Sequence, residues 1–319
     1  MQKTRVIILS VVLFTVGLCP FVCNHPGSKT PKPYNILWLT GESVRPDHLH
    51  VYGYPRETSP HIDDFARTGV LFKNAFNPSG WTSENMVSNL VGVNSLVHGV
   101  DVRNKSVPSR WHTPPEQLKD AGFVTARIQT FQNIPNYDYL GLDLDGSPDD
   151  LATWLNEHKD QRFFIWYHLL QAHLPYTPPD EHKKLFFNDT MITDASMRKR
   201  VAQIQQSSLV IRGEATFKEA DHEAISALYD GAVHNMDAEF GKIIRTLEAL
   251  GLRQNTLVIY SADHGDELLD HGFVGHASTA KGGHLHDEVS GPREPPPRAL
   301  SEPDLNLSAH PAPIIQSTA

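Results

Sequence analysis

Cysteine is nearly missing from this chain. Of 319 residues only Cys19 and Cys23 are cysteine, and both sit near the N-terminus. The body therefore has no thiol nucleophile, no thiolate metal site and no internal disulfide. A surplus of basic charge is missing too. Lys and Arg number 28 against 37 Asp and Glu, a formal net charge of −9. That balance argues against nucleic acid as a partner, because a phosphate backbone needs a basic face. An acidic protein that binds any anion must neutralise it locally, with a metal ion or with Lys, Arg and His. No internal repeat is present.

What remains is ordinary globular composition, 39% hydrophobic and 20% charged. A chain of this length can bury a sizeable core without staples. Histidine is plentiful, at 18 residues, and a scattered histidine reads as surface unless its spacing says otherwise. Lys3 and Arg5 precede an almost wholly apolar run from Val6 to Val22. That is the pattern of an export segment, placed at residues 1–24. Pro20 and the lack of a small-x-small site leave a cleaved signal and a retained membrane anchor both open. Either way the body is expected outside the cytoplasm: periplasmic, secreted or anchored.

His25 to Pro33 reads as a polar linker. Apolar runs at Asn35–Thr40, Val124–Ile128, Phe163–His168 and Thr256–Ser261 read as buried strands. His61–Thr68, Asn85–Val93 and Glu219–Leu250 have helical spacing, and Gly251 ends the last of these. Strands alternating with helices imply an α/β fold with a largely parallel central sheet. The segment from Ser290 onward is Pro-rich and aperiodic, and is expected to be a disordered tail over 290–319.

Three strand ends carry residues of metal-ligand type, where open α/β sheets gather their ligands. The first strand runs into Gly41-Glu42-Ser43, and the last into Asp263-His264-Gly265-Asp266-Glu267. The segment through His168 leads to His173. Each alone has a plain reading as a cap, an exposed turn or a loop residue. Their recurrence is what points to a site.

The same stretches carry a resemblance. ILWLTGESVRPDHLHVYGY is similar to the opening of the sulfatase family, with its apolar strand, acidic ligand and Arg-x-Asp-His-Leu sequence. TSPHIDDFARTGVLFKNAF, then Gly92 and His98-Gly99-Val100, continue it. HLLQAHLPYTPP, LYDGAVHNMDAEFG, TLVIYSADHGDELLDHG and GHASTAKGGHLHDEV follow in the family's order. The resemblance implies a three-layer α/β/α alkaline-phosphatase-like fold and a sulfatase-like catalytic domain over 33–289. It also implies a truncated C-terminal part, since family members follow this region with another apolar strand.

The departure lies at the nucleophile. Counting back from Gly92 and His98 places Thr82 where typical sulfatases carry the cysteine that becomes formylglycine; no formylglycine can form there. Threonine there resembles the lipoteichoic acid synthases and phosphoethanolamine transferases, and Glu42 as the acidic ligand resembles the lipoteichoic acid synthases. A covalent ester on Thr has no aldehyde to collapse to, so water or another acceptor must attack it. That favours phosphoryl over sulfuryl chemistry, whereas the overall resemblance favours sulfate.

The resemblance implies one divalent metal (Mn, Mg, Ca or Zn) on Glu42, Thr82, Asp263 and His264. His173 and His276 would contact the transferred group or protonate the leaving oxygen, and Lys281 would be a further anion contact. Ser83 is a rival nucleophile, and an N-cap is the competing role for Thr82. His168 is a weaker candidate; His284 and His286 read as a solvated face. The implied function is hydrolysis of sulfate or phosphate esters on a small-molecule, lipid or glycan substrate. A phosphoglycerol or phosphoethanolamine transferase and a non-catalytic truncated relative are the alternatives.

Overall fold

The computed structural model describes residues 34–100, 110–129 and 142–276, together with strand segments at 310–311 and 314–317. The chain divides into Met1–Lys32 and Pro33–Ala319, and the expected export segment lies outside the described residues. Among the described residues no helix is long and apolar enough to cross a membrane.

A seven-stranded sheet organises the larger unit. Its strands are β1 (Asn35–Gly41), β2 (Val70–Phe72), β4 (Val124–Gln129), β5 (Leu144–Gly146), β6 (Phe163–Leu169), β7 (Thr256–Ala262) and β11 (Ile314–Ser317). Their order is β2-β11-β7-β1-β6-β4-β5. The run from β7 to β5 is parallel throughout. Only β11 is antiparallel to both its neighbours. Two small ribbons pair β3 (Phe76–Asn77) with β10 (His310–Pro311), and β8 (Glu267–Leu268) with β9 (Val274–Gly275).

The helices are α1 (Pro60–Arg67), α2 (Thr82–Val91), α3 (Ser95–His98), α4 (Pro114–Asp120), α5 (Leu151–His158), α6 (Asp180–Phe186), α7 (Ala195–Val201), α8 (Ser207–Ile211) and α9 (His222–Ala249). The last three short ones occupy the long polar stretch before α9. A parallel sheet is covered on both faces, so its strands read as near-continuous apolar runs; β6 is buried at every position. On one face Met86, Val87 and Leu90 of α2 pack on Phe164 and Trp166. On the other, Ile225, Met236, Phe240, Ile243 and Leu247 of α9 pack with Leu37, Leu39, Ile165, Tyr167, Val258 and Tyr260. The fold is thus a three-layer α/β/α arrangement with a largely parallel sheet.

The strand reading from sequence meets one correction. Within the tail expected to be disordered, residues 314–317 form β11 inside the sheet, between β2 and β7. The run Ile314-Ile315 is the short apolar strand that the Pro-rich composition around it obscures. Residues 310–311 form β10 against β3, and the remaining residues of that tail lie outside the described ones.

Much of the motif density near the N-terminus fastens loops to α9. His48 Nδ1 pairs with Asp230 Oδ1 at 2.7 Å, and Arg56 Nη1 donates to Asp230 Oδ2 at 2.7 Å. The backbone N–H groups of His61 and Ile62, at the start of α1, donate to Asp237. Gly41 closes β1 where a side chain has no room. A Cβ there would lie 2.7 Å from Tyr260 Oη and 2.8 Å from Val44 Cγ2. That close approach sets the point at which the chain turns to present Glu42.

Candidate active site

The carboxyl ends of β1 and β7 are neighbours in the sheet, with Gly41 in register with Ala262. The next residues, Glu42 and Asp263–His264, therefore emerge side by side. Asp263 Oδ1 accepts from the backbone N–H groups of Ser43 (3.0 Å) and His264 (2.8 Å), which fastens the two loops together. Thr82 joins them from the first turn of α2. Its Oγ1 donates to Glu42 Oε1 at 2.7 Å and stands 3.1 Å from His264 Nε2. Trp81, not Thr82, holds the cap position of α2. The hydroxyl serves the cluster rather than the helix end.

The other oxygen of Glu42 belongs to His168. Register places His168 of β6 opposite Thr40 of β1 on the same face. His168 Nε2 lies 2.5 Å from Glu42 Oε2 and its Nδ1 2.6 Å from Thr40 Oγ1. Trp166 Nε1 in turn donates to Thr40 Oγ1 at 2.9 Å. His168, a weak candidate by sequence, is therefore the residue that orients Glu42. The available signal was a polar residue near the end of an otherwise apolar strand, FFIWYHL.

The electrostatics show what this cluster demands. His264 Nδ1 lies 3.0 Å from the Gly265 carbonyl, which orients a donor N–H at Nδ1. Its Nε2 then faces Glu42 Oε1 at 3.3 Å and Asp263 Oδ2 at 3.4 Å. Asp263 Oδ2 is buried with no hydrogen-bond partner. Burial, with the Glu42 charge next, pushes Asp263 up to about 7. Burial works against a charged His264, but Asp263 and Glu42 outweigh it and hold its pKa up to about 10. Glu42 is likewise desolvated, yet its bonds to His168 and His264 keep it well below the usual carboxylate range. Two buried carboxylates, an imidazole and a hydroxyl thus converge on a space that favours positive charge. Oxygen and imidazole donors of this kind, with one carboxylate oxygen left over, fit a divalent cation. A nitrogen of His168 also lies within 4.8 Å of ligand oxygens of Glu42 and Asp263.

His173 and His276 close the opposite side. One nitrogen of each lies within 4.8 Å of a Glu42 oxygen and of the other. His173 Nδ1 is 2.5 Å from the Leu174 carbonyl and His276 Nδ1 2.7 Å from Asp266 Oδ1, which leaves Nε2 of both rings for the cleft. His276 packs against His264 (4.3 Å between ring centroids) and edge-on against Trp81 (5.5 Å). Burial pulls the His276 pKa down, and Asp266 only partly opposes it. Asp266 and Tyr176 lie in the strand-end segments read from sequence but had no role assigned there, and Trp81 had none either. Lys281, His284 and His286 lie outside the described residues.

The sulfatase family model matches residues 34–139 and 129–289. The chain belongs to the sulfatase family. It is 22% identical over 283 residues to an ulvan-active sulfatase of Formosa agariphila, covering 75% of this chain and 52% of that protein. It is also 22% identical over 260 residues to phosphoethanolamine transferase EptC of Escherichia coli O18:K1:H7, covering 79% of this chain and 43% of that one. The chain spans about half the length of the curated relatives it matches. Among solved structures, the zinc complex of the C-terminal periplasmic domain of EcEptC from Escherichia coli superimposes with a TM-score of 0.60 at 18% identity. That match covers 90% of this chain and 73% of that one. The likeness shows an alkaline-phosphatase-like fold, so this member of the sulfatase family shares its architecture with a phosphoethanolamine transferase.

Proposed function

We propose that this chain is the catalytic domain of a divalent-metal-dependent enzyme that cleaves sulfate or phosphate esters through a covalent ester on Thr82. The observation that carries the reading is the position of the Thr82 hydroxyl. It is 2.7 Å from Glu42 Oε1 and 3.1 Å from His264 Nε2, at the meeting point of two strand ends.

Glu42, Thr82, Asp263 and His264 would hold the cation. When bound, it supplies charge that eases ionisation of a hydroxyl and draws electrons from the ester group. The chain's own residues supply the rest. Glu42 Oε1 accepts the Thr82 hydrogen bond and aims Oγ1 into the cleft. Oγ1, its proton released to water on ionisation, attacks phosphorus or sulfur to form the Thr82 ester, and the bond to the ester oxygen breaks as that oxygen departs with its bonding electrons. His173 or His276, through Nε2, stabilises charge on the transferred group or protonates that leaving oxygen. Water, or the hydroxyl of a second substrate, then attacks the Thr82 ester and frees the threonine. Lys281 remains a candidate anion contact.

The choice of group follows from the nucleophile. A threonine ester can be resolved only by attack at phosphorus or sulfur, a route better suited to phosphoryl groups. The likeness to EptC supports the same choice and a transferase outcome when the acceptor is an alcohol. The likeness to sulfatases acting on glycans supports a sulfate ester instead. Substrates are expected among small-molecule, lipid or glycan esters. The basic and apolar start at Lys3 to Val22 supports export. A fusion of residues 1–35 to a reporter that works only outside the cytoplasm should be active, and an inactive fusion would count against export.

The deciding experiment is a panel of aryl sulfates, phosphate monoesters and phosphodiesters, with and without added Mn²⁺, Zn²⁺, Mg²⁺ or Ca²⁺. Metal-dependent turnover of phosphate esters is the expected result. Turnover of aryl sulfates alone would reverse the choice of group. No turnover of any ester would leave the non-catalytic relative as the better reading.

A further inference from the structure

We propose that Asp266 is a positioning residue: its carboxylate fixes the His276 imidazole with Nδ1 bound and Nε2 turned toward the Thr82 cluster. The inference rests on the reading of His276 as a contact to the transferred group, and names what makes that contact precise.

Asp266 is fully buried, and each of its oxygens has a donor. Oδ1 accepts from His276 Nδ1 at 2.7 Å, and Oδ2 accepts from Tyr176 Oη at 2.7 Å. Its backbone carbonyl is held as well, by Arg45 Nη1 at 3.0 Å. Arg45 is itself clamped by Asp47 (2.9 and 2.7 Å) and by Asp270 (2.5 Å). The loop carrying Asp266 is thus tied to the loop that follows Glu42.

An imidazole with free rotation could offer either nitrogen to the cleft, protonated or not. A carboxylate on Nδ1 removes that ambiguity, since an ionised carboxylate can only accept and so selects the Nδ1–H tautomer. Orientation then follows from packing. Gly275 adopts φ +81°, and a Cβ there would lie 2.5 Å from Leu174 Cδ1. The backbone next to His276 is therefore pressed against the segment that carries His173. Tyr176 completes the support: it stacks edge-on with Tyr229 at 5.2 Å, whose hydroxyl donates to the Ser43 carbonyl at 2.7 Å. Direct metal ligation is the competing role for Asp266, because one of its oxygens lies within 4.8 Å of nitrogens of His264 and His276. Two oxygens already accepting hydrogen bonds favour positioning.

The test is a double-mutant cycle on an aryl phosphate ester that the parent cleaves, combined with a spectrum that needs no turnover. Asp266→Asn is expected to lower kcat about 10–100-fold, with KM, metal content and melting temperature near those of the parent. In the His276→Ala background the same change should cost almost nothing, because both substitutions act through one group. Long-range ¹H–¹⁵N spectra of the full chain, with the His276 signal assigned by its loss in His276→Ala, should show the Nδ1–H tautomer in the parent. Asp266→Asn should show a mixture. Three results would overturn the proposal: an equal loss in both backgrounds, loss of bound metal on Asp266→Asn, or an Nε2–H tautomer in the parent. Normal turnover by His276→Ala would instead overturn the role of His276 itself.

Discussion

Thr82 and Glu42 stand 40 residues apart in sequence and 2.7 Å apart at Oγ1 and Oε1. The contact exists because α2 begins at Thr82 while its cap position is filled by Trp81. A threonine whose hydroxyl capped the helix would have bonded the backbone of α2. This one bonds a buried carboxylate on another element.

Thr82→Ala should therefore leave folding nearly intact, with a stability change of about 1 kcal/mol from the lost hydrogen bond. Turnover on an ester the parent cleaves should fall by about 10³-fold or more, as the loss of a nucleophile does. Thr82→Ser should keep measurable activity, and Ser83→Ala should behave as the parent. Chemical denaturation and steady-state kinetics on the same preparations separate the two effects. Near-normal turnover by Thr82→Ala would end the nucleophile assignment.

The strand at 314–317 carries its own expectation. β11 pairs with β7 over Ser261 to Val258 and with β2 over Phe72 to Val70. Net contributions of about 0.5–1.5 kcal/mol per hydrogen bond make its removal costly. A chain ending at residue 309 should melt lower and aggregate more readily, since the edge of β7 is then unpaired. Hydrogen exchange should show protected amides at 314–317. Fast exchange there, with an unchanged melting curve for the shorter chain, would favour a disordered tail instead.

The long strands were legible because burial on both sheet faces leaves a short apolar run, and α9 because its apolar residues recur at helical spacing. The helix expected at Asn85 begins at Thr82, because no capping side chain marks its start. The ligand-type residues at strand ends were legible for a topological reason: adjacent parallel strands deliver their next residues to one place. What escaped was pairing. Nothing in FFIWYHL says that His168 will face Thr40, since that depends on which strand lies beside β6 and in what register. Asp266 escaped for a similar reason. Within ADHGDE it reads as one more acidic loop residue until Tyr176 and His276 are seen on its two oxygens. The strand at Ile314 was hidden by its own shortness and by the prolines around it.

Acid sensitivity should trace in part to the Arg45–Asp47 pair. Burial alone would raise the Asp47 pKa, but the Arg45 hydrogen bonds and charge outweigh it and hold it below its ordinary value of 3.8. The sign follows. A carboxylate whose folded pKa is depressed contributes stability above its unfolded pKa and loses it as pH falls through the folded one. Stability from this pair is thus intact near neutrality and declines below pH 3.8. Asp47→Asn should cost about 1–3 kcal/mol at pH 7, and should flatten the fall in stability below that pH. Urea melts of both proteins at several pH values provide the check. Parallel curves would assign the acid limb to other groups.

Asp263 is where the proposed metal dependence can be tested without any substrate. In the metal-free protein its carboxylate is buried beside Glu42 and pushed up to about 7. A raised folded pKa means a contribution that favours folding below the unfolded value and is lost as pH rises through about 7. At pH 8 the metal-free parent therefore holds two neighbouring buried anions, a cost that the charged His264 beside them offsets only in part. Asp263→Asn removes one of them. Its amide oxygen can still accept from the Ser43 and His264 N–H groups, while its amide nitrogen can donate toward Glu42. The metal-free variant should then be at least as stable as the metal-free parent. The metal response should move the opposite way. A cation at 100 times its Kd stabilises the parent by about 2.7 kcal/mol, and the variant, with a weaker ligand set, should gain much less. Melting curves at pH 8 in EDTA and in millimolar Mn²⁺, Zn²⁺, Mg²⁺ or Ca²⁺ measure both quantities together. An equal metal-induced shift in parent and variant would place the cation somewhere other than Asp263.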